Sequence, residues 1–252
     1  RSTLFPYTTL FRSLELASKS KLALARGQRL PLGDGSIMRL FVHWYGRDVD
    51  LGVCFADALL MEQLGYLDYT NLSSNQLKQS VLHSGDIVYA PLPDGACEFV
   101  DINDTIWQKL PTVRYAIPQL ISYSGNRFDV IDNVAGIMIR SQAMAGEIFE
   151  PRTVETAMNV CVKSTSAIPF IVDLVDRELI WLDTSLGSRM GSFNAGRSEG
   201  VQLIRAELEA LNRMMTNGQL LALWAAAHDA ETTPDAGDEP INHDQVAKLL
   251  AF

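Results

Sequence analysis

The residues best placed to do chemistry fall in one stretch, Met38 to Asp57, MRLFVHWYGRDVDLGVCFAD. Asp48 and Asp50 are two apart, and in an extended chain such residues project from the same face. The two carboxylates therefore repel each other. Fold building does not require such a pair, so it calls for a cation, a basic side chain or water. A third acid, Asp86, follows the Ser84-Gly85 step, where glycine lets the chain bend back toward the pair. Carboxylates supplemented by the backbone carbonyls near Leu51 and Gly85 are hard oxygen donors. They suit an ion such as Ca²⁺, which takes six to eight oxygens at about 2.3–2.6 Å. Glu98, Asp101 and Asp104 enlarge the acidic set. The competing expectation is a solvated acidic rim with Asp86 in an Asx turn.

Other chemistries find less support. His43 and His83 lie in no HExxH, CxxC or comparable zinc spacing, and a single histidine beside a turn fits a hydrogen-bonded structural role. Cys54 shares a strand face with Asp48 and Asp50, which would raise its thiol pKa and blunt it as a nucleophile. Ser84 is outside any GxSxG, and no phosphate-binding GxxxxGK[ST] loop occurs. Two carboxylates on separate loops leave glycoside hydrolysis formally open.

Short apolar segments must position these acids. Met38 to Trp44 and Asp48 to Phe55, around a Tyr-Gly-Arg turn, read as a hairpin. Val49, Leu51, Val53 and Phe55 take one face of its second arm, opposite Asp48, Asp50, Gly52 and Cys54. Further strands are expected over 58–68, 97–102, 113–123, 134–140, 153–162, 168–173 and 178–183, with Asp104 capping a brief helix over 105–110. Pro118 calls for an edge or a bulge. Closely spaced strands without intervening long helices predict a mainly β sandwich. Residues 187–198 read as a Ser/Gly/Asn/Arg-rich linker, and 199–252 as a helical tail that starts with Val201, Ile204, Leu208 and Leu211 on one face. That tail is expected to cover a sheet face or to bind another protein.

The chain has 252 residues, three cysteines and a formal charge of −9. Residues 1–29 hold six basic groups against Glu15, leaving about −14 on the remainder. Such a body is a poor surface for nucleic acid, which needs a Lys/Arg patch. Few and odd cysteines suit a reducing cytoplasm better than a disulfide framework, and no apolar run reaches transmembrane length. Residues 1–13, RSTLFPYTTLFRS, nearly repeat themselves in mirror order and are expected to be an artefact or a disordered extension.

Asp48-Val49-Asp50-Leu51 followed by His83-Ser84-Gly85-Asp86 resembles the tellurium-resistance TerD-type domain. The likeness extends through Val42-His43-Trp44, Asp68 to Asn71, Phe99-Val100-Asp101 and Phe128 to Arg140, covering residues 36–184. LARGQRLPL, RTVE and the helical tail are similar to bacterial proteins that join an N-terminal RING-like zinc domain to this module, a domain lacking here. The resemblance implies a TerD-like β-sandwich with a C-terminal helical extension over residues 14–186 and 199–252. It also implies calcium binding without catalysis in a cytoplasmic stress-response or membrane-associated assembly with a protein partner. The family's DxD element falls on Asp48 and Asp50, and its SGD element on Ser84, Gly85 and Asp86. The family's multiply acidic loop is reduced here to Asp94 and Glu98, which implies one weakened calcium site or none.

Overall fold

Apolar alternation broken by Gly, Pro, Asn and Asp yields short strands. The computed structural model describes them over residues 26–72, 77, 79–141, 151–185 and 204–210. All of these belong to the first of two units, which spans 1–211. The expectations for residues 1–13, for the linker 187–198 and for the tail beyond 210 lie outside the described residues.

Two antiparallel sheets carry the fold. One has six strands in the order β1 (Arg29–Pro31), β13 (Glu178–Ser185), β12 (Ser166–Asp173), β9 (Val113–Ile121), β4 (Asp50–Asp57) and β5 (Gln63–Leu67). The other has five, β11 (Val154–Met158), β10 (Asn133–Arg140), β2 (Ile37–Trp44), β8 (Ala96–Asn103) and β6 (Val81–His83). A ribbon of β3 (Gly46–Arg47) and β7 (Tyr89–Ala90) lies beside them. Leu40, Val42 and Trp44 of β2 share one buried cluster with Leu51, Val53 and Phe55 of β4, which places the main core between the sheets. Burial of such side chains is the main force holding the layers together.

The expected hairpin does not form. β2 pairs with β10 and β8, and β4 with β9 and β5, so the two segments belong to opposite sheets. Gly46 and Arg47 pair with Ala90 and Tyr89, carrying the chain across. Both strands are interior strands with neighbours on each side, and each fills its own half of the core. The alternation along β4 is as expected: Val53 and Phe55 face the main core, while Cys54 and Ala56 belong to a second cluster with Ile117, Ile171 and Leu182. Ile204 and Leu208 of the helical segment 204–210 join that second cluster, so the start of the tail covers the outer face of the six-stranded sheet.

Pro118 sits in an interior strand, paired through β4 with Val53. Toward β12 the ladder is interrupted between Ala116↔Val172 and Leu120↔Ala167, the stretch that contains Pro118 and Pro169. Two residues without an amide N–H are thus placed where the ladder is already irregular. The brief helix spans Ile106–Lys109, and Asp104 does not cap it. Instead Asn103 Oδ1 accepts from the Thr105 amide at 2.9 Å and hydroxyl at 2.5 Å. Among the described residues no helix is long and apolar enough to cross a membrane.

The outer face of the five-stranded sheet packs tightly at Gly136. A Cβ there would stand 2.3 Å from the Thr156 carbonyl oxygen and 2.9 Å from Ala157 Cα. Backbone cannot swing aside as a flexible side chain can, so Gly136→Ala is expected to destabilise the fold by about 1–3 kcal/mol in urea unfolding. An unchanged midpoint would mean that β11 is not held against β10 as described.

Candidate metal centre

Asp50 opens β4, Asp48 precedes it beside the β3–β7 ribbon, and Asp86 follows β6 on a returning loop. Gly85 makes that return with φ of +116°, a conformation that favours glycine. One carboxylate oxygen from each of Asp48, Asp50 and Asp86 lies within 4.8 Å of the other two. Two ligands on one calcium ion can be at most about 5 Å apart, so all three fit a single coordination sphere. Asp50 is 4% exposed. Its Oδ2 and the Oδ1 of Asp48 are buried and accept no hydrogen bond. An orphaned buried carboxylate oxygen is costly unless something positive meets it. The donor set is all hard oxygen, so the residues fit a divalent cation such as calcium.

Their titration agrees. Burial, then repulsion from Asp48, Asp86 and Asp68, raises the pKa of Asp50 to about 7. Burial, then Asp86, also raises Asp48.

Glu98 lies in the same acidic field. Its Oε2 accepts from the Leu51 amide and its Oε1 from the Ile87 amide, both at 2.9 Å. Each of those amides belongs to the residue that follows a clustered acid, Asp50 in one case and Asp86 in the other. Glu98 therefore staples together the two segments that present the acids. Burial pushes its carboxyl up to about 8 against the pull of the two amides, with Asp50 and Asp86 adding repulsion.

His83 completes the frame. Its Nε2 is 2.8 Å from the Leu51 carbonyl oxygen, and the Gly85 amide donates to its Nδ1 at 3.1 Å. A carbonyl only accepts and an amide N–H only donates, so the ring is the neutral tautomer protonated at Nε2. Burial lowers its pKa, in keeping with that state. The histidine is thus structural, and the Leu51 carbonyl expected to assist a metal is bonded to it.

Asp101 stands apart. It is three residues from Glu98 on β8, and odd offsets along a strand point to opposite faces. Its carboxylate is gripped by Arg39, Nε to Oδ1 at 2.6 Å and Nη2 to Oδ2 at 2.8 Å, with Arg140 Nη1 at 4.0 Å from Oδ2. Asp104 follows the far end of β8.

Asp68, just after β5, belongs to the acidic neighbourhood and was not among the expected ligands. It is 2% exposed, and Thr70 donates to its Oδ1 from amide and hydroxyl at 2.9 and 2.6 Å. Its Oδ2 is buried without a partner. Its charge acts on both Asp50 and His83.

No family model matches this chain, and no curated protein does. The site's own chemistry therefore carries the functional reading: an acidic cluster at one end of a β-sandwich, able to chelate a divalent cation.

Proposed function

We propose that this chain is a calcium-binding, non-catalytic scaffold or signalling module of the tellurium-resistance and stress-response type that its sequence resembles. The observation that supports it best is the convergence of Asp48, Asp50 and Asp86 with two orphaned buried oxygens among them. Asp48, Asp50 and Asp86 would hold the ion, with Glu98 fixing the spacing of the segments that carry them.

An ion that binds only the folded state stabilises it by mass action, about 2.7 kcal/mol at a hundredfold excess over Kd. Calcium is therefore expected to give binding heat in calorimetry and to raise the melting temperature. Asp50→Asn is expected to abolish both responses, because it removes the most buried charge of the set. Absence of heat and of any melting shift at millimolar calcium would overturn the metal reading and leave the sandwich intact. The rival reading is a metal-independent interaction module that uses the tail or an exposed sheet edge; at the start of that tail Ile204 and Leu208 are buried against the sheet.

A further inference from the structure

The buried side of the metal centre holds a polar residue that the three carboxylates leave unexplained. On β4, Asp50, Gly52 and Cys54 alternate onto the outer face of the six-stranded sheet, where Cys54 packs with Ile117. β9 runs beside them so that Ile121 stands opposite Asp50, Gln119 opposite Gly52 and Ile117 opposite Cys54. Gln119 therefore shares a sheet face with Asp50, one diagonal step along the ladder. Diagonal neighbours across an antiparallel pair are about 7–8 Å apart, within reach of a long side chain. Gly52 puts no side chain between them.

Gln119 is 1% exposed, yet neither its Oε1 nor its Nε2 has a hydrogen-bond partner. Its strand neighbours, Ala116-Ile117-Pro118 before and Leu120-Ile121 after, are apolar, so the amide interrupts an otherwise apolar run. A buried amide without partners is costly. Departures of this kind gather at functional sites. Asp50, on the same face, has its Oδ2 buried and orphaned as well. One cation between the two side chains satisfies both.

We propose that Gln119 is a fourth ligand of the metal centre, through its amide oxygen. The inference rests on the calcium reading above and supplies the inner wall of that site. Calcium accepts glutamine carbonyls beside carboxylates, and three carboxylates leave some of its six to eight positions open unless all bind through both oxygens. Asp68 approaches Gly52 from the other flank, since the β4–β5 register that sets Val53 opposite Leu67 brings the next residue to that glycine. A further carboxylate at position 119 would add to the repulsion that Asp48, Asp86 and Asp68 already exert on Asp50. A neutral amide oxygen fills a coordination position without it.

The test is calcium titration of the full chain by calorimetry, paired with urea unfolding in EDTA. Gln119→Met keeps length and volume and removes the polar atoms. It is expected to weaken calcium binding by about tenfold or more, at least the loss that follows removal of a group that merely supports a ligand. Its metal-free urea midpoint is expected to stay level or rise, because an orphaned amide is gone. Gln119→Glu keeps an oxygen at the same reach and adds charge, so it is expected to bind calcium at least as tightly as the wild type. In the wild type, calcium is expected to shift the Gln119 side-chain NH2 resonances in heteronuclear NMR spectra, a reading that needs no variant to fold.

Calcium heat in the wild type with equal affinity in Gln119→Met would overturn the assignment and leave the three-carboxylate site standing. So would NH2 resonances that calcium leaves in place. Weaker binding joined to a lower metal-free midpoint would make Gln119 a packing residue and sink its role as a ligand. Absence of calcium heat in the wild type would overturn both readings together.

Discussion

Replacing Arg39 with methionine is expected to cost about 3–5 kcal/mol of folding stability, the usual penalty for stranding a buried charge. Arg39 and Asp101 are direct register partners on β2 and β8, both with fully buried side chains, and their two contacts are bidentate. The guanidinium carbon also lies 3.6 Å from the centre of the Phe99 ring. Methionine fills much of the volume and supplies no charge, so Asp101 keeps its desolvation penalty and loses its closest counterion. Arg140, 4.0 Å away, tempers the loss without replacing a two-point contact. Adding Asp101→Leu is expected to recover part of the stability, because apolar residues can replace a buried pair at little cost. The recovery is incomplete because Arg140 then loses the same carboxylate. Urea unfolding of the two variants checks this. A loss below about 1 kcal/mol for Arg39→Met would show that the pair is solvated and that this sheet face is open to water.

That pair also shows where sequence reasoning stopped. Asp48, Asp50 and Asp86 were readable because the signal is local: two acids at a two-residue spacing, and a glycine that turns the chain before the third. Asp68 was not, since it enters the site through the pairing of β5 with β4, and no feature of its own neighbourhood announces that pairing. Glu98 and Asp101 could have been separated beforehand, because three residues along a strand put side chains on opposite faces. The hairpin misreading arose because a short turn between two strands usually joins neighbours. The counter-signal was the near-continuous apolar character of both segments. A strand at an exposed edge shows a polar face, whereas β2 is buried over its whole length. His43 and Arg39 disguised that by supplying polar letters to a face that is nevertheless buried. Pro118 argued correctly for an irregularity, but the matching Pro169 is needed to see how an interior strand tolerates it.

The decline of stability with rising pH is expected to weaken when calcium is added. Glu98 titrates at about 8 in the fold and Asp50 at about 7, both far above unfolded carboxylates. Between the unfolded and folded values the native state holds more protons, so raising the pH weakens the metal-free fold. His43 and His83 act oppositely. Burial lowers both, so the unfolded chain holds more protons below its own histidine pKa of about 6.5, and stability rises as pH climbs toward that value. The carboxyl groups outweigh the histidines from about pH 6.5 upward, so metal-free stability should decline between about pH 6.5 and about pH 8. Glu98 alone sets a slope of about 1.4 kcal/mol per pH unit, or roughly 2 kcal/mol over that window. Asp50 contributes less, because its carboxyl, raised to about 7, is already half ionised early in that window. Saturating calcium holds Asp48, Asp50 and Asp86 deprotonated in the fold, as they already are in the unfolded chain at this pH, so the decline should shrink over the same window. Glu98→Gln is expected to flatten the metal-free decline and to lower the starting stability, since its amide nitrogen must face either the Leu51 or the Ile87 N–H. Urea midpoints at about pH 6.5 and about pH 8, with calcium and with EDTA, decide the matter. The same downward slope in both media would mean that the ion does not neutralise this cluster.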